Sequence, residues 1–268
     1  AKIIGEDTAK VIHSRVHGDW KLESPDDALK LIEERLRATS LPPLSRPPVP
    51  PDADPTEELV LWGIRKYAYG LIAHYRTILG GVLLLSEAGN GAAVLVLARH
   101  LYEWTMQASY AYQQFEQQLR SGDLKSAWDL SSRISEGNSW IKEHGAKYVP
   151  EFPYEDTEDS IRIRHLAKAY KEYRRKEYGA EDVDSDYSYL SEHSHPNGAC
   201  LMMYVDIRPP ELRFIQQRYR GIPGILAATA IEWTVIMLKI LGVAKDMVVG
   251  QQMGGLVRAL AATAKPKG

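Results

Sequence analysis

The sequence predicts an all-α protein, a multi-helix bundle, and three observations carry that expectation. Apolar residues recur at steps of three and four through most of the 268-residue chain. Proline gathers at a few punctuation points instead of interrupting those stretches. Period-two alternation is confined to a short run, Met202 to Ile207.

Taken in order, Ser24-Pro25-Asp26-Asp27 reads as a helix start. It offers a capping hydroxyl, proline at the first helical position and two acids facing the helix dipole. Leu29, Ile32 and Leu36 follow at helical spacing, so residues 1–40 are expected to form a helical N-terminal appendage. Residues 41–55 hold seven prolines, which excludes a helix and favours an extended, surface-laid linker. Residues 56–268 are expected to form the main helical domain. Within it, Thr56-Glu57-Glu58 caps a long helix to about Ser86, and Glu87 to Gly91 is the break. A second long helix runs from about Ala92 to Leu119, its seam being Val94, Leu97, Leu101, Trp104, Ala108, Ala111 and Phe115. A helix from about Gly122 to Glu143, a basic helix from about Ser160 to Tyr178 and a final core helix from Ile225 to Leu241 complete the expectation.

Composition narrows the function classes. A net charge of −2 gives no global attraction to nucleic acid or anionic lipid, so such binding would need a local patch. A single cysteine, Cys200, cannot form an internal disulfide, which fits a reducing cytoplasm. Ala1 to Trp20 carries charges throughout and has no apolar core, so no signal peptide is expected there. The most apolar stretches, Ile78 to Leu101 and Ile225 to Ala244, are interrupted by charges or glycines and read as core helices rather than membrane spans. No P-loop, dinucleotide-binding glycine run or zinc-cysteine pattern is present, and no cofactor is expected. Tyrosine outnumbers phenylalanine fifteen to three, which suits wet interfaces and pockets. Self-association through a helix seam, giving a homo-oligomer, is expected.

Two segments concentrate chemistry. Between Gly91 and Tyr112 the only acidic or basic side chains are Arg99 and Glu103, with His100 beside them. They lie about 160–200° round the helix from Leu101, among Leu95, Val96, Met106 and Tyr110. A helix apolar all round is buried all round, so the two are expected to be buried, either as an i,i+4 pair or within a shared polar network. Such a pair serves equally as a lock between helix layers or as part of a site. The second segment, Tyr187-Ser188-Tyr189-Leu190-Ser191-Glu192-His193-Ser194-His195-Pro196, places His195 as a proton carrier near neutral pH, with Ser191 one turn away to orient it. The competing reading is a set of side chains that cap a helix end.

Together, Arg99-x-x-x-Glu103 and Tyr187-x-x-Leu190-Ser191-x-x-x-His195-Pro196 resemble the motifs of a widespread bacterial all-helical family, a domain of unknown function. The resemblance runs loosely from Leu59 to Leu241 and implies that Arg99, Glu103, Tyr187, Ser191 and His195 converge.

Three functions are compatible with these features. One is an RNA-acting, metal-independent enzyme of HEPN-like character. Arg99 would hold a phosphate and His195 would move the 2′-OH proton, while Glu103 positions Arg99. The usual arginine followed by histidine after four to six residues is absent. A basic stripe of Arg164, Lys168, Lys171 and Arg175, with Tyr170, Tyr173 and Tyr178 interleaved, would track the RNA backbone. The plain alternative is a solvated helix face. The second function is a metal-binding bundle using Glu192-x-x-His195, Glu103 and Glu232, although a second Glu-x-x-His is missing. His13 and His17 alone make no site. The third is a non-catalytic binding or regulatory module in phage defence or a toxin–antitoxin pair.

Overall fold

The computed structural model describes residues 20–21, 25–48, 54–136, 163–178, 183–194, 205–206, 213–214, 222–263 and 265–266. Among the described residues the chain forms eight helices: α1 (Pro25–Ala38), α2 (Glu57–Glu87), α3 (Gly91–Ser121), α4 (Leu124–Glu136), α5 (Ile163–Tyr178), α6 (Val183–Ser194), α7 (Ile222–Val243) and α8 (Met247–Thr263). The fold is all-α. Extended structure amounts to two-residue antiparallel pairings, Trp20–Lys21 with Lys265–Pro266 and Val205–Asp206 with Arg213–Phe214.

Short-range chemistry sets the helix ends. The Thr56 hydroxyl accepts from the Leu59 amide at 3.3 Å to open α2. The Asn90 side chain accepts from the Ala93 amide at 3.4 Å to open α3. Gly122 closes α3 in the left-handed region at φ 74°, a conformation in which a Cβ would be strained. The Asp123 carboxylate then receives the Ser126 amide at 3.0 Å. Between α7 and α8, Asp246 accepts from the Val249 amide at 3.1 Å and from the Tyr69 hydroxyl at 2.6 Å, tying the turn to α2.

α3 and α7 form the centre of the bundle, and α3 also packs on α2, α4, α5 and α6. α7 is an apolar helix sheathed by α1, α2, α3 and α8. By length and composition, α2 and the Gly224–Val243 part of α7 are each apolar enough to cross a membrane; 78% of the α7 window is buried inside the bundle, against 39% for α2. Gly63 lets α4 approach α2 closely, since a Cβ there would lie 2.6 Å from the Ser131 hydroxyl.

Several expectations change against this frame. Over Pro25–Ala38 the expected appendage shares the common core: Leu29, Ile32 and Leu36 are buried against α2, α7 and α8. The described part of the linker, residues 41–48 and 54–55, is non-helical, and just before it the Ser40 amide donates to Gln252 of α8 at 2.9 Å. Ile225 to Leu241 is not the final core helix, because α8 follows it. Gly250, Gly254 and Gly255 cost α8 about 1 kcal/mol each in helix propensity. Burial of Val249, Met253, Leu256, Val257 and Leu260 overrides that cost. The tyrosines serve the core more than wet interfaces. Tyr67, Tyr75, Tyr102, Tyr170 and Tyr173 are buried, and Tyr75 stacks on Trp233 at 3.9 Å.

Candidate functional site

The Arg99–Glu103 pair forms as an i,i+4 contact on α3, with Arg99 Nε donating to Glu103 Oε1 at 2.9 Å. Its burial differs from expectation: the side chains are 25% and 30% exposed. Leu95 and Met106 are buried as expected, but Val96 is exposed, so α3 keeps one solvent-facing edge and the pair sits on it. A pair this wet contributes about 0–1 kcal/mol of stability.

α6 supplies the other half of the cluster. Tyr187, Ser191 and Ser194 recur at steps of four and three and therefore share one face of α6, which packs on α3. The Tyr187 hydroxyl donates to Glu103 Oε1 at 3.2 Å and accepts from the Arg99 guanidinium at 3.5 Å. Arg99 also donates to the Ser194 hydroxyl at 3.3 Å, and its guanidinium carbon stands 5.8 Å from the Tyr187 ring centroid. The Ser191 contribution shown is its backbone carbonyl, which accepts from the Ser194 hydroxyl at 3.2 Å. Thus Arg99, Glu103 and Tyr187 converge as expected, Ser194 joins them, and His195 lies outside the described residues. Burial disfavours the Arg99 cation, but the bonds from Glu103 and Tyr187 outweigh it and hold the guanidinium above its ordinary pKa. Burial and the Glu103 charge raise the Tyr187 phenol, so it remains a proton donor at neutral pH.

A histidine pair flanks this cluster on the α2 side. His74 Nε2 and His100 Nε2 are 3.0 Å apart, and Trp104 Nε1 donates to His100 Nε2 at 2.8 Å. An indole N–H can only donate, so His100 keeps its lone pair on Nε2 and its proton on Nδ1. Burial pulls both imidazoles below their ordinary pKa; the facing His100 adds to this for His74, and Glu103 opposes it for His100. With the folded pKa values depressed, the unfolded chain binds the protons first as pH falls below about 6.5, so stability is lost on acidification. The urea midpoint is expected to fall between pH 7 and pH 5, and His74→Phe should flatten that slope. An unchanged slope in the variant would place the pH dependence elsewhere.

The sealed ion pair lies elsewhere, between α5 and α7. Arg174 Nε is 3.4 Å from Glu232 Oε1, and the two side chains are 4% and 2% exposed. Tyr170 donates its hydroxyl to Glu232, and Arg174 also faces Asp186 of α6 at 3.7 Å. Burial works against the Arg174 cation, but Glu232 and its other neighbours hold it above its ordinary pKa. Tyr102 of α3 connects the two clusters, stacked with Tyr187 at 6.2 Å and edge-on to Tyr170 at 5.6 Å. The sequence signal for this pair was Glu232 on a helix whose one other charge is Lys239. Arg174 was hidden in a run of basic residues.

Arg164, Lys168 and Arg175 of the basic stripe are exposed, and Lys171 is half-buried. The expected aromatic interleaving is overturned for Tyr170 and Tyr173, which point into the core on the opposite face with Arg174. Among the described residues no three His, Cys, Asp or Glu side chains converge to hold a metal ion. His13, His17 and His195 lie outside those residues. Comparison with family models, with curated proteins and with solved structures returns no match to this chain.

Proposed function

We propose that the Arg99–Glu103–Tyr187–Ser194 cluster is a phosphate-holding site of an RNA-acting, metal-independent enzyme of HEPN-like character, with Ser191 and His195 completing it. The observation that supports this most is the exposure of the Arg99–Glu103 pair where α3 meets α6: a pair serving only as a lock between layers has no need of solvent. Glu103 and Tyr187 orient the guanidinium, and a planar donor so held suits a phosphate. His195 takes the 2′-OH proton as the 2′-oxygen attacks phosphorus. The bond to the 5′-oxygen breaks, and that oxygen leaves with a proton from solvent. The basic stripe of α5, which packs against α6, is the surface along which RNA would lie. In the same proposal the protein works in the cytoplasm as a homo-oligomer and has no membrane partner. The resemblance to the bacterial domain of unknown function belongs to this reading as well.

The test is binding and cleavage of a fluorescently labelled single-stranded RNA by the full chain in the presence of EDTA. Binding that weakens steeply with salt is expected, together with cleavage. Arg99→Ala should weaken binding at least tenfold, roughly 1.4 kcal/mol, while costing no more than about 1 kcal/mol of stability. His195→Ala should bind and fail to cleave. Absence of binding and cleavage by the unmodified chain would remove the proposal. Binding without cleavage would favour a regulatory module, a reading supported by the intramolecular partners that the Arg99 guanidinium already has in Glu103, Tyr187 and Ser194.

A further inference from the structure

The other end of α3 borders a space of different chemistry. From Glu103 to Glu116 the helix advances about 20 Å. There a cavity of about 680 Å³ opens between the start of α2, the end of α3, the start of α4 and the end of α7. Leu61, Leu119, Leu124, Val235, Leu238 and Val243 form an apolar wall contributed by all four helices.

The charged side chains along the same lining are matched within the protein. Lys245 pairs with Glu57 at 2.6 Å, and Arg120 pairs with Glu116 at 2.8 Å. Lys239 pairs with Glu177 at 2.8 Å, its ammonium lying 5.3 Å from the Tyr112 ring centroid and 5.0 Å from that of Tyr173. An ionic ligand would compete with these pairs and find no partner along the leucine and valine wall, where its charge would be desolvated without compensation. An uncharged one leaves them intact and displaces water from a leucine and valine wall, where that water has few partners.

We propose that this cavity binds an uncharged, predominantly apolar small molecule. Its volume lies within the roughly 300–1,000 Å³ range of small-molecule sites. The site is separate from the Arg99 cluster, and the two proposals stand or fall independently.

The experiment is titration of the full chain with the neutral fluorophore N-phenyl-1-naphthylamine. Saturable enhancement at one equivalent per chain is expected. Leu124→Trp, at a half-buried position at the start of α4, should weaken it at least tenfold by filling the space. Val243→Phe, at the end of α7, is the second filling variant, and circular dichroism checks that each folds. Dodecanol should displace the probe at lower concentration than dodecanoate. No saturable uptake, equal uptake by a folded filling variant, or tighter competition by dodecanoate would overturn the proposal.

Discussion

Arg174→Ala is expected to destabilise the protein by about 3–5 kcal/mol, because it leaves Glu232 charged and without its cation at 2% exposure. Folded domains have a net stability of about 5–15 kcal/mol, so the loss is a large share of the whole. At roughly 2–4 °C per kcal/mol for a chain of this size, the melting temperature should fall by about ten degrees. The Tyr170 hydroxyl cannot compensate, since a neutral donor does not balance a buried carboxylate. The double variant Arg174→Met, Glu232→Leu should recover most of the loss, because taking two charges out of water together costs nearly what their attraction returns. Chemical denaturation of the two variants decides the matter. Equal stability of Arg174→Ala and the unmodified protein would mean that Glu232 takes up a proton when its partner is removed.

Trp233→Ala is expected to cost about 3–5 kcal/mol for a different reason. Trp233 is wholly buried on α7 and lies face to face with Tyr75 of α2, the rings 12° from parallel. Alanine removes that contact and leaves a void between the two helices. The indole N–H has no hydrogen-bond partner among the described residues. Phenylalanine therefore keeps much of the packing while deleting a buried donor that costs about 1–3 kcal/mol unmade. Trp233→Phe should thus lose less than half of what Trp233→Ala loses. Equal losses would show that a phenyl ring does not preserve the packing against Tyr75 and that the full indole is required.

These two residues mark where sequence reading is weakest. Trp233 lies in a helix recognisable from its apolar run, yet no periodicity reveals that it meets Tyr75, which is 158 positions earlier in the chain. Arg174 reads as one more member of a basic helix, because local spacing does not say which residue of a charged run turns inward. Tyr170, Tyr173 and Arg174 form the inward face, and the acceptors offered by Glu232 and Asp186 on other helices make a buried cation tolerable. The same limit misplaced the Arg99–Glu103 pair. Its apolar neighbours implied burial, but burial depends on how many helices surround α3, and that edge faces solvent at Val96.

The sequence alone determined the helical class, the breaks at Glu87 to Gly91 and near Gly122 and the capped start of α2, because these follow from interactions within one or two turns. It also placed Arg99 and Glu103 within reach of each other, since side chains four residues apart on a helix are neighbours. The stripe of Val249, Met253, Leu256, Val257 and Leu260 was present in the sequence too, masked by three glycines whose cost only packing against neighbouring helices could offset. Tertiary structure alone decided that Ser194 joins Tyr187 at Arg99, that His74 faces His100, and that the sealed ion pair is Arg174–Glu232. Each of these joins two different helices, and their meeting is set by the burial of whole apolar faces rather than by any local preference.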